Sequence, residues 1–213
     1  YNVDEWLWVP TAFGRGEAFS KPKKWARTYA QALWELDEEG PEHEDQVKEL
    51  ALVLELYAKR RPTSSPGQQM YLYVPDPRRM PIPLYVQPLV WEEGQAPTLR
   101  ELVSADDDQA VEKPIVDVFT TEHLGEGLRC LRYFTDPEDN SLKCALTYGW
   151  RLEEHGFDLR LYTVNGALGE MAVAVDDFDE LARSVSIRSE DERPGDEDDD
   201  MADDTGSEGR QGR

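Results

Sequence analysis

The sequence predicts an α+β protein, in which an antiparallel β-sheet meander is packed by helices, preceded by a helical hairpin and followed by a disordered acidic tail. Three observations lead to this prediction. Apolar residues recur at helical spacing over residues 20–61, and the period changes to two after residue 70. Four strand-like segments between residues 115 and 164 are separated by connections so short that they can join only antiparallel neighbours. Residues 189–213 are strongly acidic and almost free of apolar side chains.

The first segments are a predicted strand at residues 2–9 and a helical hairpin at about 20–61. Pro22 favours the start of the first helix, and Gly40 lies where glycine commonly follows the end of a helix. Pro62 ends the second helix of the hairpin. The apolar face of that second helix comprises Val47, Leu50, Ala51, Leu54, Tyr57 and Ala58.

Residues 70–74 and 82–91 are typical of two further strands. The second contains Pro83 and Pro88, which favours an edge position or a bulge because proline donates no backbone hydrogen bond. Residues 98–101, Thr-Leu-Arg-Glu, have the spacing of a capping box and predict a short helix.

The meander follows in four predicted strands, at residues 115–121, 128–135, 142–152 and 157–164. In the third, large apolar side chains alternate with small or polar ones. One face of the sheet is therefore expected to lie under helices and the other to be small and polar.

The folded part is predicted to end with a strand at residues 171–175 and a helix whose N-cap is Asp176 or Asp177. We expect a single α+β domain over residues 1–188, with the sheet core at about 70–187. Residues 189–213 contain eleven Asp or Glu against three Arg, a composition that cannot bury enough surface to offset its ordering entropy. This predicted tail is interpreted as a solubilising segment, with attraction of a basic partner as the alternative.

Composition limits the function classes. The 45 acidic residues outnumber the 23 basic ones, giving a formal charge of −22, which disfavours binding to nucleic acid or to an anionic membrane. No apolar run approaches the roughly 20 residues of a membrane span. We expect a cytoplasmic location, or the cell envelope if a leader or lipid anchor has been removed before Tyr1. Arg outnumbers Lys by 16 to 7, a bias typical of a GC-rich bacterial genome.

Catalytic candidates are sparse, and we assign no catalytic residue, metal ligand or cofactor. His123 and His155 lie in predicted connections between strands and could meet if their connections share one end of the sheet. Cys130 and Cys144 lack the spacing of a zinc or redox site and are interpreted as buried hydrophobes, with a cross-strand disulfide as a minor alternative. The acidic runs at residues 106–108 and 176–179 lack the ligand pattern of a calcium loop.

Partner recognition has better candidates. Arg78 and Arg79 form a local basic spot in a proline-stiffened loop, and two adjacent arginines can grip a carboxylate or phosphate. Trp6 and Trp8 share one side of the first strand. They either belong to the core or cover a sheet edge, or they form an exposed contact for a partner.

Two segments carry a family resemblance: the meander at residues 128–164 and the closing segment 175–185. The closing segment is an acidic cap followed by a hydrophobic helical face and a Ser. From about residue 70 to 187 the order of elements resembles the PsbP-like or Mog-type α/β/α sandwich, which small actinobacterial proteins share. The resemblance implies binding or assembly without catalysis, and it carries over no functional residues.

These observations favour a non-enzymatic protein-interaction or assembly module of bacterial, specifically actinobacterial, type, with a protein partner that can be basic. One alternative is a small-ligand hydrolase that uses His123 or His155. Another is an acidic mimic of nucleic acid, or a cap on a basic partner. The sequence leaves the oligomeric state open.

Overall fold

A computed structural model describes residues 2–61, 66–91 and 96–187, and the predicted acidic tail at 189–213 lies outside these residues. The fold class is confirmed: within the described part, four helices accompany a seven-stranded antiparallel sheet, and the first two helices form the predicted hairpin. No helix of the described part is long and apolar enough to cross a lipid bilayer.

The helices are α1 (Pro22–Leu36), α2 (Glu44–Arg60), α3 (Leu99–Leu102) and α4 (Leu168–Ser184). The strands are β1 (Trp6–Val9), β2 (Gln69–Tyr73), β3 (Ile82–Val90), β4 (Ile115–Thr121), β5 (Gly125–Thr135), β6 (Leu142–Leu152) and β7 (Phe157–Asn165). Short 3-10 turns precede β1 at Val3–Glu5 and connect β6 to β7 at Glu153–His155. The predicted first strand was therefore too long, since residues 3–5 form a turn.

The strand order is β1-β2-β3-β7-β6-β5-β4, and all neighbours are antiparallel. Since β3 lies inside the sheet, the edge position predicted from its prolines was wrong. β3 pairs with β2 only over residues 82–86 and with β7 only over residues 85–90. Pro83 therefore borders β2 alone and Pro88 borders β7 alone. Each proline lies where β3 has one open side, so no ladder hydrogen bond has to be lost.

One face of the sheet is covered by α4. The strand predicted at residues 171–175 was wrong, because this segment forms the first half of α4. Apolar residues of α4 at spacings of three and four complete a continuous inward face. The core on this face includes Trp6, Tyr73, Leu84, Phe119, Leu146, Tyr148, Trp150, Leu161, Met171, Ala174, Phe178, Leu181 and Ala182.

Helices also cover part of the opposite face, for which the sequence predicted small and polar side chains. The α1–α2 hairpin packs on β1 and β2, with Trp25 and Leu54 fully buried. Beside α3, Val103 packs against β5 and β6. A Cβ placed on Gly149 would lie 2.8 Å from a Val103 methyl carbon and 2.9 Å from a Leu102 one, so this position of β6 stays small to admit the α3 segment.

Candidate interaction site

The loop between β2 and β3, residues 75–81, is held in shape by Asp76. The Asp76 carboxylate accepts a hydrogen bond of 2.9 Å from the backbone N–H of Arg78. The backbone carbonyl of Asp76 accepts one of 3.0 Å from the backbone N–H of Arg79. This local turn is one that Asp forms readily. At the end of the loop, the Tyr57 hydroxyl on α2 donates a 3.0 Å hydrogen bond to the Pro81 carbonyl. The loop is thus fixed both by its own turn and by the helical hairpin.

Arg78 ties the loop to the end of α1. Its guanidinium donates two hydrogen bonds, of 2.7 and 2.8 Å, to the Asp37 carboxylate, and it lies 5.1 Å from the centre of the Trp34 ring. Glu39 adds a weaker contact at 3.3 Å. The bidentate bond to Arg78 lowers the pKa of Asp37 below its usual value and raises that of Arg78. The Arg78 fork therefore has partners inside the chain.

Arg79 and Met80, by contrast, present their side chains to solvent. Arg79 is 57% exposed and reaches Asp76 only at 3.5 Å, and Met80 is 59% exposed. Two grooves of about 200 Å³ each flank the loop, and both residues line both grooves. One groove lies against α4, where Val173 is also exposed, and the other lies against α2. The loop thus offers one cation and one flexible apolar side chain between two shallow hollows.

A third groove, of about 390 Å³, lies on the β1 side of the same loop and is acidic. Its lining includes the carboxylates of Asp4, Glu5, Asp37, Glu38 and Glu39. Asp37 is held by Arg78, whereas the ion pairs of the described residues include neither Glu38 nor Asp4. A negative surface therefore adjoins the Arg79–Met80 surface.

The two tryptophans proposed as partner contacts lie in different environments. Trp6 is 8% exposed and packs against Tyr73 at 4.9 Å and Phe178 at 5.1 Å between ring centres. Trp6 is therefore part of the core under α4. Trp8 is 45% exposed on the edge strand β1, two residues further from the loop.

His123 and His155 lie at the same end of the sheet. Leu128 pairs with Gly149, and the continued register places the β4–β5 and β6–β7 connections side by side. Both imidazoles are exposed, and no hydrogen bond joins either of them to another described side chain. The nearest ring to His155 is Phe157, at 6.0 Å between centres. The topology brings the two connections together without a base and a nucleophile in contact.

The cysteines supply no activated nucleophile at this end. Cys130 pairs with Thr147 and Cys144 with Tyr133 across the same strand pair, which puts the two thiols on opposite faces of the sheet. Both are buried and free, so the disulfide alternative was wrong. Burial raises the pKa of Cys130 to about 11 and that of Cys144 above its usual value, which keeps both as thiols at neutral pH.

The acidic runs form internal ion pairs. Asp106 pairs with Arg100 and Asp107 with Arg132. The N-cap predicted at Asp176 or Asp177 was wrong, because both residues lie inside α4, whose N-cap is Ala167. Asp179, also inside α4, accepts hydrogen bonds from Tyr148, at 2.5 Å, and Arg129, at 2.9 Å. In the described part of the chain no three carboxylate, His or Cys groups cluster as metal ligands would.

The sequence indicates the loop as a candidate site, but it does not indicate that Arg78 binds within the chain while Arg79 and Met80 are exposed. Asp37, the partner of Arg78, lies 41 residues away, and no local pattern indicates that contact. Met80 carries a weak signal, because a large apolar residue between Arg79 and Pro81 in a loop has no core to enter.

Comparisons of the chain with models of protein families, with curated proteins and with solved structures find no match. The resemblance to the PsbP-like or Mog-type sandwich therefore stays an expectation.

Proposed function

We propose that the chain is a non-enzymatic interaction or assembly module that binds a protein partner through the loop at residues 75–81. The observation that carries the proposal is the pair Arg79 and Met80, exposed on a loop that Arg78 and Tyr57 hold in place. A loop already fixed in its binding conformation loses little entropy on docking. Met80 between two hollows supplies an adaptable apolar contact.

The surroundings indicate the chemistry of the partner. An apolar side chain of the partner would enter the groove beside α4, against Met80 and Val173. Lys or Arg residues of the partner would face the acidic groove at Asp4, Glu5 and Glu38. Complementary charge of this kind speeds association and fixes the register of two surfaces. The partner we propose is thus a protein with an apolar anchor beside basic residues.

A site-specific crosslinking experiment tests this proposal. A photoreactive amino acid replaces Met80 in one variant and Leu52 in another, because Leu52 is 65% exposed on α2 and does not line the loop grooves. Irradiation in native extract should give a product from position 80 that position 52 does not give. The partner is then purified and its affinity is measured with unlabelled variants.

With the purified partner, Met80→Asp is expected to weaken binding at least about tenfold and Arg79→Ala about threefold. Leu52→Asp, the matched control, should leave affinity unchanged. If positions 80 and 52 crosslink the same set of proteins, or if Met80→Asp binds as tightly as the unmodified chain, the loop has no role in recognition.

A further inference from the structure

A second charged surface lies at the start of α1, away from the loop. Four cations occur within seven residues: Lys21, Lys23, Lys24 and Arg27, here called the basic patch. All four side chains are exposed, and together with Thr28 and Gln31 they line a hollow of about 590 Å³. In the part of the chain that the structure describes, no carboxylate lies within 4 Å of any of the four.

Because the basic patch lies at the start of α1, its unpaired cations are expected to destabilise the helix. The first turn of α1 contains no acidic residue, and its N-cap, Lys21, makes no side-chain capping bond. Cations at a helix N-terminus oppose the helix dipole, and they also repel one another. An anionic group bound there would remove both penalties. An anionic group is therefore expected to be favoured at the basic patch, and the described residues place none within ion-pair distance of it.

The charge of the rest of the chain selects among anionic ligands. Subtracting the −8 of residues 189–213 from −22 leaves −14 on residues 1–188, so a free polyanion approaching the domain meets a repulsive field. A segment tethered to the same chain avoids this barrier to encounter, because its effective concentration is set by the tether at about millimolar levels. The eleven acidic residues of 189–213 are such a segment.

The tether is long enough. The acidic stretch from Asp196 to Asp204 begins nine residues after Ile187, the last described residue. Seventeen residues of extended chain reach about 58 Å. A domain of this size has a radius of gyration of about 16 Å, and a path from the end of α4 to α1 on the opposite face is about 40 Å. A path of about 40 Å takes about twelve residues of extended chain, so the acidic residues from Asp199 onward can reach the basic patch of the same molecule.

We propose that the far part of the acidic segment, residues 199–204, binds the basic patch on α1 of its own chain, as an intramolecular electrostatic contact with this surface. The contact is independent of the loop at residues 75–81. It gives the acidic segment a binding role beyond solubility, and it leaves the basic patch open to an outside acidic ligand only when the segment is displaced.

The test compares backbone amide shifts of residues 21–31 in the full chain and in a chain ending at residue 188. At about 50 mM salt the two should differ, and at about 500 mM they should converge, since salt screens exposed charges. A synthetic peptide of residues 189–213 added to the shortened chain should reproduce the full-chain shifts. The differences should not depend on protein concentration, which separates contact within one molecule from contact between two.

Matched variants locate the site. The triple change Lys21→Gln, Lys23→Gln, Lys24→Gln should abolish the shift difference and weaken peptide binding at least about tenfold. The control Arg60→Gln, Arg61→Gln, Lys113→Gln removes the same charge from cations that form no ion pair elsewhere in the described part, and should keep the difference.

Identical spectra of the two chains at low salt would overturn the proposal, as would a shift difference that survives the lysine changes. Tighter binding of phosphatidylserine vesicles or of duplex DNA than of the peptide, by the shortened chain, would also reject it in favour of an outside polyanion.

Discussion

The loop at residues 75–81 and the first turns of α1 both carry cations, but their surroundings differ. Arg78 is 31% exposed and contacts the carboxylates of Asp37, Glu39 and Asp76. The lysines of the basic patch contact none in the described part of the chain. In a chain with 45 acidic residues, an unpaired basic cluster does not reflect a shortage of carboxylates. The difference separates cations that hold the fold from cations that are available to a ligand.

This comparison predicts graded effects on stability, and the cation that pairs with a fully buried carboxylate should give the largest. Arg151 donates two 3.0 Å hydrogen bonds to Asp158, whose side chain is fully buried. Arg151→Met would leave that carboxylate without its charge partner, and should lower the free energy of unfolding by about 3 kcal/mol. Urea denaturation measures the loss.

The matched control for this prediction is the double change Arg151→Met, Asp158→Leu. Replacing both members of a buried pair with apolar residues is often close to neutral, so the double variant should recover most of the loss. A double variant less stable than the single one would show that the ion pair is not the source of the effect.

The next largest effect is expected at Arg78. Arg78→Ala removes the bidentate bond to Asp37 and the contact with Trp34, and should lower the Tm by less than Arg151→Met does, since the pair lies nearer the solvent. Arg79→Ala, one residue along, should leave the Tm unchanged because Arg79 makes only a 3.5 Å contact. Calorimetry of the two variants compares them directly, and equal losses would contradict the division of roles within the loop.

The contribution of the Arg78–Asp37 pair to stability should also depend on pH. The pKa of Asp37 is lowered from 3.8 by Arg78, so the stabilisation is present above 3.8 and is lost as the pH falls through the lower folded-state value. The Tm difference between the unmodified chain and Arg78→Ala should stay constant from neutral pH to about pH 5 and shrink below about pH 4. A difference that disappears near pH 6 would point to a histidine instead.

Most of the sheet could be predicted from the sequence because its signals are local. The bounds of β4 and β6 coincide with the predicted segments, since each is an uninterrupted run of strand-forming residues between turn residues, and β6 also alternates. The capping box at Thr98 likewise specifies α3 without tertiary information.

The errors arose where a local signal was outweighed by contacts distant in sequence. Residues 171–175 are rich in Ala and Val and alternate weakly, but Met171 and Ala174 face the sheet only as part of a helix. Asp176 or Asp177 was predicted as an N-cap, but both lie inside α4, and Asp179 of the same run bonds to Arg129 of β5 and Tyr148 of β6. The candidate site divides in the same way: the exposed loop was visible, but Asp37 as the partner of Arg78 was not.

The basic patch should give the smallest effect on stability. In about 500 mM salt, where the attraction of an acidic segment is screened, the triple change of Lys21, Lys23 and Lys24 to Gln should alter the free energy of unfolding by no more than about 0.5 kcal/mol. The sign should be neutral or stabilising, because the change removes cations that oppose the α1 dipole. Urea denaturation at high and low salt measures it, with the Arg60, Arg61, Lys113 variant as the reference.

A loss above about 1 kcal/mol at high salt would place these lysines with Arg78, among the cations that hold the fold. The proposed contact with the acidic segment requires instead that the lysine changes have little effect on stability at high salt. At low salt the triple variant should then become slightly less stable than the reference variant, because only the basic patch loses a ligand that binds the folded state alone. A patch that matters at low salt and not at high salt is what distinguishes a ligand site from a structural ion pair.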